Sequence, residues 1–286
     1  MSDPSPVVPA PLSAARPLVP ADFPKRFSVC TLVTDHAAYD AMRQSFRRAG
    51  FTEEDVEFLY LDNSAGNVAD GYAGLNHFLR MADGRYVIVC HQDVALDFDD
   101  RTVLERRIAD MNALDPDWAV LGNAGYGNFA EKLCRLTDPW GADRKLGQLP
   151  CRAKSLDENF LVVKNEANLA LSHDLKGYHL YATDLCMIAR ILGWHCYVID
   201  FHLRHMSGGY GGEKLLSAKR SFVAKYARHV KSFAVRTQCT QLIVTGSPTW
   251  NRILNHGLFY SLKYRLDALF RLARIRRNSG AANGIR

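Results

Sequence analysis

An apolar, strand-like run in this sequence ends in two side chains that can bind ions or move protons. The run "RYVIVC" is followed at once by His91, Gln92 and Asp93, and the chain then turns apolar again. Placing an imidazole and a carboxylate beside so apolar a run costs free energy unless both groups have partners. The pair therefore indicates a ligand or cation site.

Other acids and histidines stand at the ends of apolar segments in the same way. The acids and histidines are Asp35, Asp62, Asp157, Glu158, His202 and His205, and the amide Asn63 follows Asp62. A zinc hydrolase that uses His91, Asp93, His202 and His205 is one alternative. No H-E-x-x-H helix or cysteine ligand set accompanies these residues, so the sequence gives that alternative little support.

The elements that must position these side chains alternate between strand and helix patterns. Strands are predicted at residues 26–33, 56–62, 85–90 and 118–123, and helices at 37–50, 68–81 and 103–114. Nearly continuous apolar strands separated by helices predict an α/β protein with a mostly parallel sheet that is covered on both faces. Ligands of such sheets bind beyond the carboxyl ends of the strands, and Asp35, Asp62, Asn63, His91 and Asp93 fall at that edge.

The second half of the chain is less regular. Residues 135–154 carry charge, Gly and Pro and are predicted to form a long loop, a feature typical of binding segments. Residues 155–163 place Asp157 and Glu158 just before an expected strand, and another strand is expected at 195–205. Helices are expected at 181–194 and 213–229.

Composition limits the number of domains and the compartment. A chain of 286 residues with 48% hydrophobic composition can bury one sizeable core, and no window holds the roughly 18 apolar residues of a membrane-spanning helix. Residues 1–25 contain seven of the eleven prolines and are predicted to be a disordered leader. The seven cysteines include no C-x-x-C pair, which favours a cytoplasmic location.

The net charge of +6 belongs to the C-terminal tail. Residues 250–286 hold seven Arg and one Lys against the single acid Asp267, which gives +7 and leaves −1 for the rest of the chain. Apolar residues recur there at helical spacing, so a basic amphipathic helix is predicted. Such a helix is expected either to pack against its own domain or to bind an anionic membrane surface. That surface would be the inner face of the cell membrane. Nucleic acid is not expected as a partner, because the aromatic residues share the apolar stripe.

Two longer segments carry a family resemblance. "LYLDNSAGNVADGYAGLNHFLRMADGRYVIVCHQDVAL" resembles the donor-binding half of the GT-A fold glycosyltransferases that use nucleotide sugars. "GYHLYATDLCMIARILGWHCYVIDFHLRHMSGG" resembles their acceptor half, and the bacterial family-2-like group related to StrF is the most similar. The resemblance implies a GT-A-like, mixed and mostly parallel central sheet flanked by helices. It also implies a nucleotide-binding half at 26–123 and an acceptor half at 124–245 in one domain.

The resemblance also implies roles for individual residues. Asp93 matches the last acid of a D-x-D motif, whose role is to bind a divalent cation, while His91 replaces the first acid and favours Mn²⁺ over Mg²⁺. His205 matches the position of a further histidine ligand. Asp35, Asp62 and Asn76 correspond to residues that line the nucleotide pocket or contact the nucleotide of the donor, and Asn63 corresponds to the residue that shapes the turn of this pocket.

The resemblance also suggests candidates for the catalytic base. Direct displacement with inversion at the anomeric carbon requires a base near the acceptor hydroxyl. Asp184 matches the last acid of an E-D-x-D-L-C signature, but Tyr181 and Ala182 replace its first two acids. The base is therefore assigned to Asp184, with Asp157 and Glu158 as the alternatives.

The sequence thus predicts a metal-dependent glycosyltransferase. The expected ligands are a nucleotide-diphospho-sugar donor, Mn²⁺ or Mg²⁺, and a glycan or lipid-linked acceptor. Two alternatives stay open: a catalytically silent sugar- or nucleotide-binding protein of the same fold, and a nucleotidyltransferase.

Overall fold

The computed structural model describes residues 22–127, 131–208, 212–229, 233–236 and 241–256. Most of the predicted leader and of the basic tail, including the helix expected there, lies outside the described residues. The chain divides into two compact units, residues 1–218 and 219–286. The second unit contains most of the last long helix, a two-stranded antiparallel sheet and a short helix.

Strands and helices alternate through the first unit. The strands of the chain are β1 (Lys25–Val33), β2 (Val56–Asp62), β3 (Gly84–Cys90), β4 (Val94–Ala95), β5 (Trp118–Gly122), β6 (Ala124–Tyr126), β7 (Lys132–Thr137), β8 (Asp143–Leu146), β9 (Cys151–Arg152), β10 (Ser155–Leu156), β11 (Phe160–Lys164), β12 (His195–Val198), β13 (Leu203–His205), β14 (Phe233–Arg236) and β15 (Gln241–Val244). The helices are α1 (His36–Arg48), α2 (Gly71–Met81), α3 (Arg101–Leu114), α4 (Tyr181–Ile191), α5 (Glu213–His229) and α6 (Pro248–Leu254), with a 3₁₀ turn at Asn165–Ala167.

The central sheet has seven strands in the order β2-β1-β3-β11-β5-β12-β9. Strands β1, β2 and β3 are mutually parallel, β11 is antiparallel to both β3 and β5, β12 is parallel to β5, and β9 is antiparallel to β12. Five of the seven strands therefore point the same way. The expected mixed, mostly parallel α/β sheet is confirmed.

Helices cover both faces of this sheet. On one face, α1 and α3 contribute Met42, Phe46 and Ile108 to a core that also holds Phe27 and Trp118 of the sheet. Alternate residues of a strand point to opposite faces, so the other face of β1 carries Leu32. Helix α2 packs there so closely that a Cβ on Gly74 would lie 2.6 Å from the Leu32 side chain. Burial on both faces explains why the inner strands β3, β5 and β11 are largely apolar.

A second sheet has the strand order β10-β6-β7-β13-β4, with β8 paired to β7. Its strands contradict two of the predictions. Residues 135–154 do not form one long loop, because β7 and β8 make an antiparallel hairpin there. All four residues of β8 are exposed, so the strand has no apolar alternation that could have revealed it. The predicted strand 195–205 is two strands in two sheets, β12 in the central sheet and β13 in the second.

Candidate functional site

Three side chains of the kind that bind cations meet at the edge of the central sheet. His91 Nδ1 lies 3.4 Å from His205 Nε2 and 3.9 Å from Asp93 Oδ1. His205 Nε2 lies 3.5 Å from the same Asp93 oxygen. The three residues are partly buried and form the one group of three or more candidate ligands found among the described residues.

Strand pairing brings these residues together from distant parts of the sequence. Strand β3 ends at Cys90, and the chain turns through His91 into the short strand β4. Strand β13 pairs with β4 in antiparallel register, His205 opposite Val94, and the backbone N–H of Met206 donates to the Asp93 carbonyl at 2.9 Å. The change of sheet between β12 and β13 therefore places His205 beside the end of β3.

The spacing of these three atoms fits a single divalent cation. Atoms bound about 2.1 Å from one ion lie about 3.0 to 3.5 Å apart in octahedral or tetrahedral geometry. The observed separations of 3.4, 3.5 and 3.9 Å approach that range without any movement of the backbone. Two imidazole nitrogens and one carboxylate oxygen suit Mn²⁺ or Zn²⁺ better than Mg²⁺ or Ca²⁺, which prefer oxygen ligands.

The surroundings favour the ionised form of Asp93 and the neutral form of His91. Burial alone would raise the pKa of Asp93, but hydrogen bonds from His205 and Ser207 and the charges of both histidines hold it below its ordinary value. Burial, followed by the nearby His205, lowers the pKa of His91. At neutral pH the first group is thus an anion and the second a neutral imidazole.

A tyrosine fixes the tautomer of His91. Tyr181 is buried, and its hydroxyl donates to the Glu158 carbonyl at 3.2 Å while lying 3.1 Å from His91 Nε2. A carbonyl can only accept, so with the tyrosine proton on Glu158 the hydroxyl oxygen accepts from His91 Nε2–H, and this is the tautomer that the candidate cation site requires. His91 Nδ1 is then unprotonated and faces the other two ligand atoms. Gly71 permits this packing, since a Cβ there would lie 2.5 Å from the Tyr181 ring.

The cluster lines a cavity of about 580 Å³. The lining residues that bear on its chemistry are His91, Asp93, His205, Ser207, Asp157, Glu158, Asn159, Tyr178, His179 and Tyr181. Three carboxylates and three imidazoles are among them, and no Lys or Arg side chain belongs to the described lining. Within the described lining, the positive charge that an anionic ligand needs would therefore come from a bound cation and not from a side chain.

Two carboxylates from the turn before β11 share this cavity. Asp157 is exposed, whereas Glu158 is half-buried and accepts hydrogen bonds from the backbone at the start of α4. Burial, and next the charge of Asp157, raise the pKa of Glu158 to about 8, against the lowering effect of hydrogen bonds from the backbone of Leu180, Tyr181 and Ala182. A carboxyl group of this kind can accept a proton near neutral pH.

The raised pKa predicts an effect on stability. A carboxyl whose pKa is higher in the folded than in the unfolded state favours folding at low pH, and this contribution is lost as pH rises from about 4.5 to about 8. Glu158→Gln stays neutral, so its free energy of unfolding should exceed that of the wild type at pH 9, and the excess should grow between pH 5 and pH 9. Urea unfolding in EDTA at pH 5 and pH 9 measures this. The exposed control Glu54→Gln should show no such gain, and an equal gain in both variants would contradict the prediction.

The structure corrects the assignment of the base to Asp184. This residue has no exposed surface, and it does not line the cavity. Its two oxygens accept hydrogen bonds from the backbone N–H and the hydroxyl of Ser172, each at 2.8 Å. A base must reach the acceptor hydroxyl, so Asp184 instead anchors α4 to the segment that follows β11.

The two acids expected at the nucleotide lie outside the cavity lining. Asp35 caps α1 by accepting hydrogen bonds from two backbone N–H groups of its first turn. Asp62 is exposed, accepts a hydrogen bond from the Ser64 backbone and lies 3.2 Å from His36. Both remain at the carboxyl edge of the sheet, as the sequence predicted, and their contacts with a nucleotide remain predictions.

The two asparagines expected beside them are used by the fold. Asn63 accepts two backbone hydrogen bonds across its own turn and donates to the hydroxyl of Tyr178, so it shapes that turn. Asn76 exchanges two hydrogen bonds with the backbone of Leu171, at 3.1 and 2.7 Å. These hydrogen bonds tie α2 to Leu171, and the contact of Asn76 with a nucleotide remains a prediction.

Three further residues shape the site, and sequence reasoning assigned them no role. Tyr181 positions His91, and Gln92 ties the end of β3 to the loop after β1 through hydrogen bonds with Thr34 and Asp35. Asn159 lines the cavity beside Glu158. Tyr181 had one signal in the sequence, since it stands where the resembling family has an acid. His202, by contrast, stacks on Phe98 and is not part of the cluster.

The fold and the site define a mixed α/β protein with a candidate His-Asp-His cation site at the carboxyl edge of its sheet. The chain belongs to the same family as the protein named "ATP synthase subunits region ORF 6" from Fuscovulum blasticum. The two are 39% identical over 211 residues, which cover 71% of this chain and 84% of that protein. No family model matches the sequence.

Solved structures give weaker matches. Staphylococcus aureus TarS 1-349 in complex with UDP-GlcNAc aligns with a TM-score of 0.48 and 13% identity, over 70% of this chain and 66% of that one. GalNAc-T7 with UDP, GalNAc and Mn²⁺ aligns with a TM-score of 0.46 and 11% identity, over 70% of this chain and 48% of that one. The chain thus spans less than two thirds of either structure, and neither score reaches 0.5.

Proposed function

We propose that this protein is a cation-dependent glycosyltransferase that moves a sugar from a nucleotide diphosphate to an acceptor hydroxyl. The observation that carries the proposal is the His91, Asp93 and His205 cluster, which shares a cavity with two carboxylates. The sheet order places this cavity where α/β folds bind ligands. The sequence resemblance to nucleotide-sugar enzymes supports the same chemistry.

The residues of the cavity divide into two roles. His91, Asp93 and His205 would hold the cation, which when bound stabilises the negative charge of the departing diphosphate. Glu158 would accept the proton of the acceptor hydroxyl, since its pKa of about 8 suits a base near neutral pH. Asp157 raises that pKa through its charge and is the alternative base.

The proposed transfer is a direct displacement. The acceptor oxygen forms a bond to the anomeric carbon, and the bond from that carbon to the diphosphate oxygen breaks, so the diphosphate leaves with the electron pair. The acceptor proton passes to Glu158. Attack from the face opposite the leaving group inverts the anomeric carbon.

Thermal-shift measurements with UDP-, GDP- and dTDP-sugars, with and without Mn²⁺, test the proposal. At least one donor should raise the melting temperature in Mn²⁺ and none should do so in EDTA, because the described cavity offers diphosphate no cationic side chain. Release of free nucleoside diphosphate on addition of acceptor would then establish turnover. No response to any donor would overturn the proposal, and response without release would indicate a silent binding protein.

Tyr181→Phe should weaken cation binding while leaving the fold intact. The ring packing is kept, but the Nε2 hydrogen of His91 loses its acceptor, and the tautomer that exposes Nδ1 is no longer favoured. We expect Mn²⁺ affinity to fall by about tenfold in calorimetry. Tyr178→Phe is the matched control, because that hydroxyl bonds Asn63 and not the cluster. Equal losses in both variants would contradict this role.

The basic C-terminal segment bears on where the acceptor is found. Among the described residues no helix combines the length and apolar character needed to cross a membrane. We propose that residues 250–286, with a net charge of +7, bind anionic lipid and bring the site to a glycan or lipid-linked acceptor. The full chain should sediment with phosphatidylserine vesicles at low salt and a chain ending at residue 249 should not. Equal sedimentation of the two chains would contradict membrane binding by residues 250–286.

A further inference from the structure

Asn159 carries a buried amide that has no hydrogen-bond partner. The residue is 1% exposed, and neither Nδ2 nor Oδ1 has a partner among the described residues. Two donors and one acceptor left unpaired in a buried position are unfavourable, and native structures seldom retain them without a reason. Within the described part of the chain, Asn159 is the one residue with both a donor and an acceptor in this state.

The position of Asn159 ties this amide to the candidate site. Its backbone carbonyl accepts the N–H of His91 at 3.0 Å, and its own N–H donates to Asp157 Oδ1 at 3.0 Å. The residue lines the cavity directly after Glu158. The backbone is therefore fixed between the cation cluster and the two carboxylates, while the side chain is bonded to neither.

The chemistry of an amide limits what can satisfy it. A carboxamide donates through Nδ2 and accepts through Oδ1, so it pairs with a ligand that both accepts and donates at adjacent atoms. Neighbouring hydroxyls of a sugar ring present that pattern. A phosphate only accepts, and a cation would leave the Nδ2 hydrogens unpaired. Turning the amide toward such a ligand breaks no hydrogen bond, because the side chain makes none.

We propose that Asn159 is a specificity-determining residue that binds hydroxyl groups of the transferred sugar. This inference rests on the proposed function, since it names the part of the donor that the residue recognises. The hydroxyls of the donor sugar would then supply the hydrogen bonds that the amide lacks within the described part of the chain. Enzymes often keep such locally unfavourable groups where a ligand must bind.

Asn159→Leu separates this role from a structural one. Leucine has the same branched skeleton of non-hydrogen atoms but no polar atom, so the variant removes the unpaired donors and acceptor and should melt at a higher temperature than the wild type. Calorimetry in Mn²⁺ should compare UDP, GDP and dTDP with UDP-glucose, GDP-mannose and dTDP-glucose. Affinity for the sugar nucleotide that binds the wild type should fall at least tenfold, and affinity for its free diphosphate should change less than twofold.

Asn123→Leu is the matched control. Asn123 is also fully buried with an unpaired Oδ1, but it does not line the cavity, and its Nδ2 donates to the Arg135 carbonyl. Its sugar-nucleotide affinity should equal that of the wild type. If Asn159→Leu keeps wild-type sugar-nucleotide affinity, or loses diphosphate affinity equally, the inference is wrong although the proposed function stands. If the wild type binds none of the six probes, the proposed function itself fails.

Discussion

Asp93→Ala is expected to lower Mn²⁺ affinity by about a hundredfold or more and to remove donor binding with it. Asp93 supplies the only carboxylate among the three candidate ligands, and hydrogen bonds from His205 and Ser207 keep it ionised. The two imidazoles alone would hold the cation weakly. Because no Lys or Arg belongs to the described cavity lining, nothing there replaces the lost cation for a diphosphate.

Calorimetry with Mn²⁺, followed by a nucleotide titration, checks the Asp93 prediction. Asp97→Ala is the matched control, since Asp97 is an exposed acid four residues away that pairs with Arg204 at 2.7 Å. The control should bind Mn²⁺ as the wild type does. Wild-type Mn²⁺ affinity in Asp93→Ala would show that the cluster is not the cation site.

Glu158→Gln is expected to reduce the turnover number by about a thousandfold while donor and cation affinities stay within about twofold. Glutamine keeps the shape of the side chain and an oxygen that accepts the backbone hydrogen bonds of α4, but it cannot take a proton. In the wild type, turnover should rise with pH up to about 8, because the base acts in its ionised form and its pKa is about 8.

Asp157→Asn distinguishes the two carboxylates. Removing its charge should lower the pKa of Glu158, so the pH profile of turnover should move to lower pH while the maximal rate is largely kept. Radiolabelled sugar transfer over a pH series measures both variants. If Asp157→Asn stops turnover and Glu158→Gln does not, the base is Asp157.

The parts of the fold that the sequence predicts well are those that are buried on both sides. Continuous apolar runs placed β1, β2, β3 and β5 within a residue or two, and the abrupt end of the third run located His91 and Asp93. The hairpin of β7 and β8 was not predicted, because β8 is charged and exposed and has no apolar pattern. The break between β12 and β13 was hidden because Phe201, which lies between them, is itself a core residue.

The site was predictable where a single strand end defines it, and not where distant segments combine. An acid in the first turn of a helix has the same sequence signature whether it faces a substrate or a buried serine, so Asp184 could not be separated from Glu158 by pattern. The contact between Tyr181 and His91 joins residues 90 positions apart. The Asn159 amide is unpaired because no polar group of another described segment lies within hydrogen-bonding distance. A local sequence pattern does not contain that information.

The most direct test of the central claim is anomalous diffraction from crystals of the protein grown or soaked in Mn²⁺. The account predicts one strong peak at bonding distance, about 2.2 Å, from His91 Nδ1, Asp93 Oδ1 and His205 Nε2. A peak at another position, or His91 turned so that Nε2 faces the ion and Tyr181 is released, would contradict it.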